Sequence, residues 1–122
     1  MYNHIGLKVK DLDASVRFYS AALGALGHES GYSDESVVGL GPKGAPGLWL
    51  YADARLAHSL VHIAFNADSR AAVDAFYRAA IAAGGKDNGA PGLRPHYHPN
   101  YYAAFVLDPD GHNIEAVCHA PA

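Results

Sequence analysis

The sequence of 122 residues predicts an α+β domain made of two tandem modules, each a strand, a helix and then three strands. The main observation is an internal repeat. A His-Ile pair followed by a Phe-Tyr pair occurs twice, as His4-Ile5 with Phe18-Tyr19 and as His62-Ile63 with Phe76-Tyr77. Both pairs recur at one constant offset of about half the chain. Because neither half would bury enough apolar surface alone, we expect one domain over residues 1–122, with module one at about 1–55 and module two at about 59–119.

Hydrophobic periodicity predicts the elements of module one. Residues 2–9 alternate, which indicates a strand whose apolar face packs on a helix and whose opposite face carries His4. Asp11 or Asp13 can cap the helix that follows. The turn-rich stretch 27–51 predicts about three short strands in meander order.

Module two repeats this pattern. A strand is expected from about Ser59, with His62 on the face that faces away from the helix, and Asp68 or Ser69 can cap the next helix. Residues 86–100 are rich in Gly and Pro, which favours a long loop, and long loops are often functional. The remaining expected elements are strands at 101–107 and 112–118, joined by an Asp-Pro-Asp-Gly turn at 108–111.

Composition excludes several classes of function. The net charge of −3, from 9 basic and 12 acidic residues, gives no electrostatic reason to expect nucleic acid or an anionic membrane as a partner. The chain shows no signal-peptide pattern and no apolar run near the roughly 20 residues that span a bilayer. A single cysteine, Cys118, agrees with a reducing compartment. We therefore expect a cytoplasmic protein.

Three polar residues interrupt otherwise apolar strands, on the face opposite the helices: His4, His62 and Glu115. Burying an unpaired carboxylate is costly, so Glu115 should meet a cation, a metal or water. Two imidazoles and one carboxylate on facing strands would hold Fe(II), Mn(II), Zn(II) or a similar ion with open positions for a substrate. This arrangement requires the first strands of the two modules to lie side by side. The alternative is that each of the three is a hydrogen-bonded strand residue.

The repeated His-Ile opening, the βαβββ order and the segment Asp-Pro-Asp-Gly-His-Asn-Ile-Glu at 108–115 resemble the vicinal oxygen chelate superfamily. This group includes glyoxalase I, fosfomycin and bleomycin resistance proteins, and extradiol dioxygenases. The resemblance implies two modules forming an open, curved mixed sheet around a cleft, and a divalent metal (Fe, Mn, Zn or Ni) on His4, His62 and Glu115. It also implies a small-molecule substrate bound through neighbouring oxygens, and a homodimer. Whether the two histidines of one site come from one chain or two stays open.

One position departs from glyoxalase I, in which a fourth ligand, a glutamate, comes from the last strand of module one. Aligning residues 47–49 with 113–115 places Trp49 there. We therefore disfavour true glyoxalase I activity, and lyase, thiol transferase and dioxygenase chemistry remain open. The alternatives to an enzyme are a metal-free, ligand-sequestering protein of the bleomycin-resistance type and a purely structural domain.

Further candidates surround these ligands. Acid, base or substrate contacts are expected among His96, His98, Tyr101 and Tyr102, if the 86–100 loop folds over the cleft. Pocket walls are expected from Trp49, Tyr51 and Arg94. His96 and His98 alternate and would form a rival metal pair, although their loop composition favours a solvent-exposed or lid role.

Overall fold

Each half of the chain folds into a four-stranded mixed sheet with one helix packed against it. The computed structural model describes residues 3–57 and 61–122. The first half contains β1 (Ile5–Val9), α1 (Leu12–Gly24), β2 (Glu29–Ser33), β3 (Val37–Gly41) and β4 (Leu48–Ala52). The second half contains β5 (His62–Asn66), α2 (Arg70–Ala82), β6 (Lys86–Leu93), β7 (Tyr102–Leu107) and β8 (Asn113–Cys118). The predicted α+β class and the element order of both modules are confirmed.

The two sheets have the same topology. The strand orders are β1-β4-β3-β2 and β5-β8-β7-β6, and in each sheet the first strand pairs in parallel with the last strand of its module. The helices begin at the expected caps: the Asp11 side chain accepts from the backbone N–H of Ala14, and Ser69 accepts from that of Ala72. No helix of the described residues is long and apolar enough to cross a membrane.

The two modules meet through their helices. α1 contacts α2, and one buried cluster takes residues from the helix-covered faces of both sheets, among them Leu7 and Ile114. Some residues that alternate with this core, such as Gly6 and Ala64, are exposed. The helix-free face of each sheet, its open face, therefore points away from the shared core.

Gly85 lies at a point where the two modules pack closely together. A Cβ atom added there would lie 2.5 Å from Val106 Cγ1 and 2.6 Å from Phe18 Cε1. We expect Gly85→Ala to lower the free energy of unfolding by about 1–3 kcal/mol, measured by urea denaturation, because the core must move apart. Gly24→Ala is the matched control: its Cβ would meet nothing within 4 Å, so stability should hold or rise by up to about 1 kcal/mol. Equal losses in both variants would contradict this packing.

The expectation of a loop over 86–100 is wrong for residues 86–93, which form β6. The strand lies at the edge of its sheet, where Pro91 is tolerated because its missing N–H faces no partner strand. Its pairing with β7 is interrupted by two register shifts, and Gly89 has φ 150°. The expected strand start at Tyr2 and the start of module two at Ser59 lie outside the described residues.

Candidate metal centre

His62 and Glu115 are brought together on the open face of module two. The parallel pairing of β5 with β8 sets Ala64 opposite Glu115 and His62 opposite Asn113, so both side chains emerge on one face. His62 Nε2 lies 3.1 Å from Glu115 Oε1. Only 2% of the Glu115 side chain is exposed, against 46% of His62. Two of the three predicted ligands therefore form a half-buried pair within one chain.

The His62 ring is oriented by the backbone of β8. Its Nδ1 lies 2.9 Å from the carbonyl oxygen of Asn113. A carbonyl only accepts, so Nδ1 carries a proton, and Nε2 faces the Glu115 carboxylate. At this distance a proton or a metal ion must lie between Nε2 and the carboxylate oxygen. A hydrogen bond from Nδ1 to a backbone carbonyl is the arrangement by which proteins usually fix a metal-binding histidine.

The other oxygen of Glu115 is held by Tyr101. The Tyr101 hydroxyl donates to Oε2 in a short hydrogen bond. Burial and this bond raise the pKa of Tyr101 to about 12. Tyr101 therefore stays protonated near neutral pH, where it can act as a donor, and it leaves Oε1 directed at His62.

Aromatic rings wall the cavity of about 530 Å³ in which the pair lies. Phe105 stacks with His62 at 6.3 Å between ring centroids and 23° between planes. Tyr97, which is 62% exposed, packs edge-on against Tyr101 at 5.1 Å. Phe105, Asn113 and Tyr97 were not predicted as site residues. Phe105 lies beside Glu115 because the two pair across β7 and β8, and this register could not be predicted from alternation within one strand.

His4 does not join this pair within the chain. It lies on module one, where its Nδ1 is 2.7 Å from Asn3 Oδ1, and it lines a different cavity. Within residues 3–57 and 61–122, one group of three potential ligand residues has its atoms within 4.8 Å of one another, and it is Asp108, Asp110 and His112. The first strands of the two modules, β1 and β5, lie in different sheets, so within the described part of one chain they do not pair side by side. Whether the two histidines of one site come from one chain or two stays open.

By distance, the Asp108 group could hold a cation, but its carboxylates already accept hydrogen bonds. Asp108 Oδ2 accepts from the Tyr19 hydroxyl at 2.5 Å, and both oxygens of Asp110 accept from the backbone N–H of Lys10. Burial raises the pKa of Asp108, and the Tyr19 hydrogen bond opposes this effect. We therefore regard the His62–Glu115 pair as the better candidate centre.

Trp49 takes the place of Glu115 in module one. It pairs with Gly6 as Glu115 pairs with Ala64, and each partner lies two residues after the repeated histidine. The Trp49 ring covers Gly39, where an added Cβ would lie 2.8 Å from Cζ3. Tyr51 covers Gly6 in the same way. The module-one face thus presents aromatic rings where module two presents a carboxylate.

The other predicted site residues divide into two sets. The loop side chains lie near the cavity: His98 packs on His119 at 5.5 Å between centroids and accepts from the Asn100 N–H, and His96 packs on Tyr97. Two others make hydrogen bonds away from the His62–Glu115 pair. The Arg94 guanidinium donates to the carbonyls of Ala90 and Gly92 and lies 5.4 Å from the centroid of the Phe105 ring, which lines the cavity. The Tyr102 hydroxyl donates to Asp74 on α2. Their contacts with a substrate stay a prediction.

Fold and site together define a protein of two βαβββ modules with a His-Glu pair on an open sheet face. The chain belongs to the Glyoxalase/Bleomycin resistance protein/Dioxygenase superfamily, whose family model matches residues 2–116. A glyoxalase/bleomycin resistance protein from Albidiferax ferrireducens T118 is similar over 99% of both chains, with 32% identity and a TM-score of 0.84.

More distant structures share the fold alone. A glyoxalase-related enzyme from Fulvimarina pelagi has 21% identity and a TM-score of 0.75, over 97% of this chain and 87% of that one. Lactoylglutathione lyase from Agrobacterium tumefaciens has 20% identity and a TM-score of 0.69, over 97% and 92%. A comparison with curated proteins finds no significant match.

Proposed function

We propose that the protein is a metal-dependent enzyme that binds a small substrate through two neighbouring oxygens, and that His62 and Glu115 hold the metal ion. The observation that supports this most directly is the orientation of His62, whose Nδ1–H is committed to Asn113 while Nε2 faces a buried carboxylate at 3.1 Å. Imidazole and carboxylate suit Fe(II), Mn(II), Zn(II) or Ni(II). When bound, such an ion would supply Lewis-acid stabilisation of a developing enolate or alkoxide, or dioxygen activation if it is iron.

The third ligand, His4, is proposed to come from a second copy of the chain. His4 lies on the open face of module one, in a cavity that also includes Ala64 and Asn66 of β5, and among the described residues its nitrogens do not lie within 4.8 Å of both His62 and Glu115. The same face exposes Tyr32 at 50% and Tyr51 at 42%, which favours burial against another surface. A twofold homodimer would set module one of each copy against module two of the other and build two equal sites.

The remaining residues would orient the substrate and the ligands. Tyr101 holds Glu115 in place, and the rings of Phe105 and Tyr97 limit access of water to the ligand pair. His98 accepts a backbone N–H at Nδ1, so its proton lies on Nε2, where it can be donated to a substrate oxygen. Glyoxalase I chemistry is disfavoured because Trp49 replaces the fourth ligand. Lyase, thiol transferase and dioxygenase reactions all fit three ligands.

A metal-free binding protein of the bleomycin-resistance type is the second candidate. The exposed rings of Tyr32 and Tyr51 and the half-buried ring of Trp49 favour it, because an aromatic face can bind a ligand without a metal. The two candidates differ in metal content. The enzyme should carry close to one divalent ion per chain when purified without a metal-binding tag, and His62→Ala should carry none. Absence of metal from the parent protein, even after loading, would exclude the metalloenzyme.

The reaction class is tested by a turnover screen of the metal-loaded protein. The screen should cover α-ketoaldehyde thiol adducts, catechols, and epoxides with a thiol cosubstrate. We expect turnover of one class that disappears in His62→Ala. Turnover that persists unchanged in this variant would place the chemistry elsewhere.

Tyr101→Phe tests whether the Tyr101 hydroxyl holds the Glu115 carboxylate in place. Without the hydroxyl, Oε2 loses its donor and the carboxylate is less well oriented, so we expect metal affinity to fall by about 10–100-fold in a competition titration with a chelator. Tyr102→Phe is the matched control, because it also removes a hydroxyl that donates to a carboxylate, that of Asp74. Equal affinity in both variants would contradict a role for Tyr101 in holding the ligand.

A further inference from the structure

The turn at residues 108–112 reaches back from module two to module one. The Tyr19 hydroxyl of α1 donates to Asp108 Oδ2 at 2.5 Å. The backbone N–H of Lys10 donates to Asp110 at 3.1 and 3.2 Å, and His112 Nε2 lies 3.2 Å from the carbonyl oxygen of Lys8. Three hydrogen bonds from one turn thus connect it to the end of β1 and to α1.

The carboxylates of this turn have hydrogen-bond donors. Asp108 Oδ1 accepts from the backbone N–H groups of Asp110 and His112, both at 2.9 Å, so both oxygens of this buried carboxylate have donors. A carbonyl only accepts, so His112 must donate from Nε2 to Lys8, and that nitrogen has no lone pair left for a metal. The carboxylates of Asp108 and Asp110 and the Nε2 of His112 are therefore engaged in hydrogen bonds, and the buried Nδ1 of His112 has no hydrogen-bond partner among the described residues.

In the part of the chain that the structure describes, the hydrogen bonds from this turn to the other module have no equivalent in module one, although the fold is repeated. Tyr19 and Tyr77 are equivalent in the Phe-Tyr repeat, yet Tyr77 pairs with Asp87 of its own module. The turn of module one that corresponds to 108–112 has the sequence Pro-Lys-Gly-Ala-Pro at 42–46 and contains no carboxylate. Only the turn of the second module can therefore form these carboxylate hydrogen bonds to the other module.

The turn also leads directly into the oriented carbonyl of the candidate metal centre. Asn113 follows His112, and its N–H donates to Val61 at 2.8 Å while its carbonyl accepts from His62. Asp108 N–H donates to the His112 carbonyl at 3.0 Å, which closes the turn before the strand begins. Displacement of the turn would consequently displace the group that fixes the tautomer and direction of the His62 ring.

We propose that residues 108–112 form an intermodule latch, and that Tyr19 and Asp108 are positioning residues for His62 that act through the Asn113 carbonyl. The metal-affinity part of this proposal rests on the proposed function; the structural part does not. The latch joins the two halves of the chain across 89 residues of sequence between Tyr19 and Asp108. It thereby couples the packing of the modules to the geometry of the ligand pair.

The test compares Tyr19→Phe and Asp108→Asn with Tyr77→Phe, which removes the equivalent hydroxyl but no intermodule bond. In metal-free protein we expect Tyr19→Phe to lower Tm by about 3–8 °C, and to reduce the fraction of His62 with its proton on Nδ1, measured by nitrogen NMR. Zinc affinity should fall by about 10-fold. Asp108→Asn should change the His62 tautomer in the same direction. Tyr77→Phe should leave the His62 tautomer and zinc affinity at parent values.

Two results would overturn the latch. One is a folded Tyr19→Phe protein in which His62 keeps its parent tautomer. The other is a Glu115→Gln protein that still binds one zinc ion and loses it when Asp110→Asn is added. The turn would then be a metal site. The His62 tautomer is measured in metal-free protein, so the NMR result tests the latch by itself. Failure of the parent protein to bind zinc would count against the proposed function alone.

Discussion

Glu115→Gln is expected to abolish tight metal binding while the fold is kept. Glutamine has the shape of glutamate, and its carbonyl oxygen can still accept from the Tyr101 hydroxyl. The amide that then faces His62 Nε2 has no charge and no free lone pair to offer a metal ion. Since loss of a group that only orients a metal ligand costs about 10–100-fold in affinity, loss of the ligand itself should cost at least about 100-fold, or about 2.7 kcal/mol.

Metal content by mass spectrometry and affinity by chelator competition measure this loss. Glu29→Gln, at an exposed position on β2, removes the same charge from the protein and is the control. Its metal content should equal that of the parent. A circular dichroism spectrum and a Tm close to the parent would show that the Glu115 variant is folded. If folded Glu115→Gln retained one ion per chain, the carboxylate would not be a ligand.

The proximity of His62 to Glu115 could be predicted from the sequence, because the side chains of a strand alternate between only two faces; their role as metal ligands stays a prediction. His62 and Glu115 each interrupt an apolar strand on the same side, and the parallel pairing of β5 with β8 then brings them together. The oriented Asn113 carbonyl and the Phe105 wall depend on strand register. Register is set by contacts between residues distant in sequence, which a pattern within one strand does not contain.

The wrong prediction of a loop at residues 86–93 has a physical cause of the same kind. The Gly-rich and Pro-rich residues of β6 were predicted as a loop because their composition is unsuited to a central strand, but an edge strand with bulges tolerates them. The placement of His4 depended on which surfaces of the modules meet. The repeat shows that two modules exist, and the contact between them is decided by buried residues such as Phe18 and by the Tyr19–Asp108 bond.

We expect mixed dimers to show a metal centre with two ligands in one chain and the third in its partner. Dimers of His4→Ala alone lack the third ligand at both sites, and dimers of His62→Ala lack an in-chain ligand at both sites. In a dimer that contains one copy of each variant, both losses fall on one site, and the other site has His4, His62 and Glu115 intact. Random mixing in equal amounts makes about half of the dimers mixed, which restores about a quarter of the parent sites.

The decisive measurement is the metal content of the two variants alone and after unfolding and refolding as an equal mixture. We predict almost no bound metal in either variant alone, and about a quarter of the parent content in the refolded mixture. His28→Ala, mixed in the same way with His62→Ala, is the control: it removes a histidine from the cavity that His4 lines, and the variant alone should keep the parent metal content. A His4→Ala protein with full metal content, or a mixture with no recovery from two empty and folded variants, would contradict a centre completed by a second copy.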